Sequence, residues 1–320
     1  MRLNRVFRCK QKTMASLVST EKPFSINAPW GKIAGVTWGT SSNSPVLMVP
    51  GRLVPCTSFR PLIKLLPDCF FYVAIDLPGN GFSDRLPPGI RYSYFDLVPT
   101  IEKVVKHFKW DKLVYVAHSL GTAVGAYYDL AYPGQFTRFV QLDPLPLYFT
   151  IAPNQFGAWY KEYFAGHYDD SKYTINILGK ETAPKYKLDD IKVKLMKAHN
   201  MNEETLEHVL DRYVEPAGDG LYRFTYDQSM KNTALMPFSP SNLQSLLTYS
   251  KVPILTVFAK KVIERGSYSK VPFVFDENAW PNNNYKYKIV DGYHDVHMTD
   301  PHLMADDISK FLMEEFRAKL

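Results

Sequence analysis

The sequence predicts an α/β fold: a mostly parallel, doubly wound sheet with a helical insertion. Three observations predict it. Short, largely apolar runs at 45–49, 70–75, 113–117 and 139–142 have the length and composition of buried parallel strands. Segments with apolar residues at helical spacing lie between them. That alternation stops after Asp143, is absent for about 100 residues, and resumes at Val252.

In chain order, 24–27 and 32–38 read as two strands of a meander, turning at 29–31. The run 45–49 ends in Pro50-Gly51. Thr57-Ser58 opens a helix to Leu66, with Phe59, Leu62, Leu65 and Leu66 on its apolar face. Strand 70–75 enters Asp76-Leu77-Pro78-Gly79-Asn80-Gly81-Phe82-Ser83-Asp84, a glycine-rich turn without a phosphate-binding fingerprint. Residues 94–110 read as a helix, apolar at Leu97, Ile101, Val104, Val105 and Phe108. Strand 113–117 leads to helix 120–132, and strand 139–142 ends at Asp143-Pro144.

The 145–250 stretch has helical pieces and no clear strand. Asp189-Asp190 begins one helix, Asn202 caps another, and Ser239-Pro240 begins a third. Buried strands return at 252–258 and 285–290, and an amphipathic helix runs from about Pro301 to the end. The expected organisation is a flexible basic tail at 1–20, a core built from 21–144 and 251–320, and a helical cap at 145–250. The cap is placed over the carboxyl ends of the strands, where such sheets bind ligands.

Composition narrows the class. The chain has 320 residues, 46% of them apolar, enough for one large α/β domain with an insertion. No apolar run reaches the length of a membrane span. Cys9, Cys56 and Cys69 form neither a disulfide framework nor a metal spacing, which favours a reducing, intracellular setting. The formal charge of +6 depends on Arg2, Arg5, Arg8, Lys10 and Lys12; without those five it falls to +1, so no nucleic-acid-binding domain is expected. The basic residues 1–13 lack the apolar centre of a secretory signal and read as a tail rather than a mitochondrial presequence. Ala318-Lys319-Leu320 is one residue from the Ser-Lys-Leu address and is similar to a peroxisomal import signal, so peroxisome or cytoplasm is the expected location.

The chemistry centres on Ala117-His118-Ser119-Leu120-Gly121. A strand ends here and a helix begins, with small residues two before and two after the serine. This is the context of a nucleophile elbow, G-x-S-x-G, with Ala117 at the first glycine position. A serine hydroxyl needs a base within hydrogen-bond reach, and the base needs an acid to orient it. Together, the Pro-Gly loop, Asp-Leu-Pro-Gly-Asn-Gly-x-Ser-Asp, Ala-His-Ser-Leu-Gly and the late Gly292-x-His294-x-x-His297 resemble the α/β-hydrolase fold over about 24–317. They are most similar to the serine hydrolase-like proteins related to insect kraken.

That resemblance implies the order Ser, acid, His along the chain. Ser119 is the candidate nucleophile. His294 is the candidate base, in the loop after the last strand, with His297 its alternative; His107, His118, His167, His199, His208 and His302 fall elsewhere. The loop after 252–258, where many such enzymes carry an aspartate, has Ala259-Lys260-Lys261-Val262-Ile263-Glu264 instead. The candidate acid is therefore Asp143, at the end of the strand before the cap, with Glu264 its alternative. Backbone N–H groups of Leu120 and Arg52 map to the oxyanion hole; Pro50 stands where the family usually has His. A serine at the elbow favours acyl transfer over the aspartate-nucleophile chemistry of epoxide hydrolases and dehalogenases. Tyr148, Phe149 and Trp159 suggest an apolar pocket roof and a small hydrophobic acyl substrate, an ester or thioester. No metal or cofactor is expected. The alternatives are a non-catalytic binding or scaffold protein on the same fold, and a lyase using the same three residues.

Overall fold

The computed structural model describes residues 15–170, 173 and 180–318. Ten strands form among these residues: β1 (Lys22–Ala28), β2 (Gly31–Trp38), β3 (Ser44–Val49), β4 (Phe70–Ile75), β5 (Leu113–His118), β6 (Phe136–Leu142), β7 (Val214–Pro216), β8 (Tyr222–Phe224), β9 (Ile254–Ala259) and β10 (Tyr285–Val290). Eight make one sheet in the order β1-β2-β4-β3-β5-β6-β9-β10. β1 and β2 pair antiparallel, and β2 pairs antiparallel with β4. From β4 onward every pairing is parallel. The chain is thus an α/β protein with a mostly parallel sheet.

Burial on both faces explains the apolar runs. Every residue of β4, β5 and β9 is buried, so no polar alternation survives in their sequences. The helix Tyr94–Phe108 starts where Ser93 Oγ accepts the Asp96 N–H, and its apolar face packs against the helix Leu120–Ala131. Because the parallel strands share one direction, the ends of β3, β5, β6, β9 and β10 open onto one edge of the sheet. The segments that follow Val49, His118, Leu142, Ala259 and Val290 meet there.

Four expectations change. Residues 15–20 belong to the packed structure rather than to a tail: Ala15–Val18 is helical, Leu17 is buried, and the Gly39 N–H donates to Thr20 Oγ1 at 2.9 Å. The helix expected at 57–66 divides into a 3₁₀ turn, Cys56–Phe59, and a short α-helix, Arg60–Ile63, with Pro61 in its first turn. β6 begins at Phe136, where Thr137 and Arg138 hide the strand from an apolar-run reading. Residues 145–250 hold helices at Leu188–His199, Glu203–Glu207 and Pro240–Leu247 as expected, and also a helix at Phe156–Tyr163 and the β7–β8 hairpin. The whole of the basic 1–13 stretch, like Lys319 and Leu320, lies outside the described residues. Among the described residues no helix is long and apolar enough to cross a membrane.

The 145–250 segment is fastened to the sheet by buried charge. The Arg212 guanidinium donates from Nε to Asp76 Oδ2 at 3.1 Å. Asp76 is fully buried at the end of β4 and also accepts the Cys56 and Phe82 N–H groups at 2.7 and 2.9 Å. Arg212 lies 4.3 Å over the Phe82 ring. Nearby, Arg60 pairs with both Glu21 and Asp211. Removing the guanidinium strands a charge that water cannot reach. Arg212→Ala should therefore lower stability by about 3–5 kcal/mol, read as a drop in the urea midpoint. An unchanged midpoint would show that the pair holds nothing.

Candidate active site

The site begins with a backbone constraint at the end of β5. Ser119 has φ 51° and ψ −117°, a conformation that costs a non-glycine residue about 1–3 kcal/mol. The turn is tight because the helix Leu120–Ala131 starts immediately and its first turn presses on β3. A Cβ on Gly121 would lie 2.3 Å from the Val49 carbonyl oxygen, so no side chain fits there. On the other side, a Cβ on Gly51 would lie 3.1 Å from Ser119 Cβ. The loop after β3, which contains Arg52, therefore runs directly beside the serine. Leu120 is the first residue of its helix, where a backbone N–H has no partner within the helix.

Two hydrogen bonds then run outward from Ser119. Its Oγ lies 2.8 Å from His294 Nε2, and His294 Nδ1 lies 2.5 Å from Asp143 Oδ2. A carboxylate on Nδ1 makes that nitrogen the proton carrier and leaves Nε2 to accept from the hydroxyl. Asp143 is fully buried and keeps a positive φ of 38°. Its Oδ1 accepts the Ala259 N–H at 3.1 Å and the Tyr268 hydroxyl at 3.0 Å. The carboxylate thus has donors on both oxygens, which lets it stay buried. Burial by itself would make the His294 imidazole a weaker base. The hydrogen bond to Asp143 and its negative charge outweigh burial and hold His294 above its ordinary value, while Arg52 pulls the other way.

The structure brings Ser119, His294 and Asp143 together and leaves the alternatives outside. His297 is buried, but neither ring nitrogen has a partner. Burial and the nearby His294 and His199 push it down to about 3. Glu264 is half exposed on the helix Lys260–Glu264 and pairs with Lys261 at 3.3 Å rather than with an imidazole. Of the three aromatic residues expected to roof a pocket, Tyr148 is buried in packing with Tyr268 and Phe273, and its hydroxyl donates to Gln141 Oε1 at 3.3 Å. Trp159 is buried too, its indole N–H on the Leu235 carbonyl. Phe149 is only half-buried, its ring edge-on to Tyr163 at 6.2 Å. The charge of Arg52 acts on His294, Tyr94 and Tyr163 alike, which puts these groups in one neighbourhood. Tyr268 escaped the sequence reading, because a tyrosine in a loop carries no sign of the carboxylate it will cap. Among the described residues no cluster of His, Cys, Asp or Glu could hold a metal ion.

A profile of the α/β hydrolase fold matches residues 44–186. Relatives extend the likeness to nearly the whole chain. "Serine hydrolase-like protein" from Danio rerio is 24% identical over 306 residues, 95% of this chain and 92% of that one. "Serine hydrolase-like protein 2" from Homo sapiens is 27% identical over 295 residues, 89% of this chain and 91% of that one. Among solved structures, a hypothetical protein from Pseudomonas aeruginosa PAO1 superposes with a TM-score of 0.74 at 18% identity, covering 92% of this chain and 98% of that chain.

The Asp143–His294 pair predicts a titration. Followed by NMR, His294 should take up its proton with a midpoint above the ordinary imidazole value of about 6.5. Asp143→Asn should move that midpoint down, since it removes the charge that favours the imidazolium. A midpoint that stays put in Asp143→Asn would dissociate the two residues.

Proposed function

For a chain that is an α/β hydrolase of the serine hydrolase-like group, we propose that it hydrolyses carboxylic esters or thioesters of hydrophobic acyl groups through an acyl-enzyme on Ser119. The observation that carries this reading is the unbroken hydrogen-bonded chain Ser119–His294–Asp143.

The steps follow from that chain. Ser119 Oγ attacks the carbonyl carbon as His294 Nε2 takes its proton. The imidazolium is stabilised by Asp143, which holds the ring by Nδ1 and has no room to leave. The carbonyl oxygen becomes an oxyanion facing the Leu120 and Arg52 N–H groups, one at the start of a helix and one in the loop beside Gly51. Each such donor is worth about 3 kcal/mol of barrier. Collapse breaks the bond to the leaving oxygen or sulfur, which receives the proton from His294. A water then repeats the sequence, giving its proton to His294 and releasing the acid. Residues 145–250 act in this reading as a cap over the strand ends. Phe149 and Tyr163 offer an apolar wall for the acyl chain, a role that Tyr148 and Trp159 give up to packing.

The test is active-site labelling with a fluorophosphonate alongside hydrolysis of 4-nitrophenyl esters and acyl thioesters of rising chain length. The wild-type chain should label once. Ser119→Ala should remain folded, fail to label, and lose about 10⁴-fold or more in kcat. The acid limb of kcat/KM should fall above about 6.5, because the base works only when deprotonated and Asp143 favours its protonated form. A folded wild-type protein that neither labels nor hydrolyses any of these substrates would sink the proposal.

A further inference from the structure

Behind His294 lies a second group of buried polar side chains that the Ser119–His294–Asp143 chain does not use. His118, Asp295 and His297 are all buried, and the rings of His118 and His297 lie 4.1 Å apart. His118 Nε2 lies 3.0 Å from the carbonyl oxygen of His294. A carbonyl only accepts, so Nε2 carries the proton. Nδ1 is then an acceptor, buried and without a partner, beside the loop after β3: a Cβ on Gly51 would stand 2.9 Å from it. Asp295 follows the candidate base directly. Its Oδ2 lies 2.9 Å from His199 Nδ1, and its Oδ1 is 3.9 Å from His118 Nε2. His199 is the last residue of the helix Leu188–His199 in the 145–250 segment, with the Tyr213 hydroxyl 3.4 Å from its Nε2.

The protonation states agree with this arrangement. Burial and the neighbouring imidazoles of His297 and His294 push His118 far below its ordinary value, against the weaker pull of Asp295. Burial alone would raise Asp295, but the hydrogen bond and charge of His199, with the charges of His118 and His294, bring it down to about 2. Across neutral pH, a neutral His118 therefore donates to the carbonyl of residue 294, and an anionic Asp295 holds His199.

Neither His118 nor His199 bonds to Ser119. Each grips the chain on one side of the base. His118 takes the carbonyl of residue 294, and His199 takes the carboxylate of residue 295. We propose that His118 and His199 are positioning residues for His294, and that the grip of His199 through Asp295 makes the placement of the base depend on the seating of the 145–250 segment. The proposal rests on the hydrolase reading for its kinetic consequence, though not for the geometry it assigns.

The nitrogens used give the test its discrimination. A glutamine amide can stand in for Nε2 of histidine, and an asparagine amide for Nδ1. His118→Ala and His199→Ala should each lower kcat and the rate of fluorophosphonate labelling by about 10- to 100-fold, the scale of a small misplacement of a catalytic group, with KM changed less than about twofold. His118→Gln and His199→Asn should restore most of the loss, whereas His118→Asn and His199→Gln should not. The downfield NMR resonance of the His294 Nδ1 proton, bonded to Asp143, should broaden in both alanine variants. Wild-type kcat in the folded alanine variants overturns the proposal, as does equal rescue by Asn and Gln, the pattern of mere packing. Should the wild-type chain hydrolyse nothing, the resonance still decides. A broadened signal in the alanine variants supports the grip while the hydrolase reading falls; an unchanged one removes the grip as well.

Discussion

The buried Asp143 carboxylate is the constraint on which the site depends. A fully buried charge is tolerated only where donors surround it. Here they come from three parts of the chain: the Ala259 N–H at the end of β9, the Tyr268 hydroxyl in the loop beyond, and His294 after β10. Meeting the needs of one side chain therefore draws β6, β9 and β10 to a common point. Ser119, held at the end of the neighbouring β5 by its strained turn, then lies within reach of the imidazole. The order of strands in the sheet supplies that adjacency, since β5, β6, β9 and β10 are consecutive neighbours.

Much of this was legible in the sequence because it rests on local rules. The buried strands announced themselves as apolar runs, since burial on both faces leaves no room for polar alternation. The turn at Ser119 was legible because Ala117 and Gly121 are small for a steric reason, the close approach of the following helix to β3. Asp143 could be placed among the candidates because it ends a strand, and His294 because it follows the last one. The sequence favoured Asp143 over Glu264, and the structure shows what sets the two apart. Glu264 sits in the loop where an acid is usual, but Lys260 and Lys261 lie on its own helix and take its charge.

What stayed hidden depends on pairs far apart in the chain. Tyr268 meets Asp143 across 125 residues, Arg212 meets Asp76 across 136, and His199 meets Asp295 across 96. No spacing rule joins such partners, because the sheet brings them together only after it has formed. The aromatic residues after β6 misled for a related reason. Tyr148, Phe149 and Trp159 are alike in composition, and only their packing separates a core ring from one that stays partly open. The β7–β8 hairpin escaped because each of its strands is three residues long, too short for alternation to register.

The charges that join the 145–250 segment to the sheet bear on how a substrate could enter. Arg212 is buried on Asp76, and Arg60 binds Glu21, Asp211 and the His208 carbonyl together. Lifting this part of the segment would expose or strand several charges at once, a cost well above that of moving one loop. The residues around Phe149 and Tyr163 are held by hydrogen bonds and ring contacts rather than by paired buried charges: Arg91 donates to the Tyr163 carbonyl and lies 4.1 Å over the Phe164 ring, and Arg52 donates to the Lys231 carbonyl. Opening should therefore occur on the Arg52 side, while the side holding Arg212 stays seated. In the proposed hydrolase reading, that asymmetry would put the entrance beside the Ser119 turn and leave the His199–Asp295 contact undisturbed as substrate comes and goes.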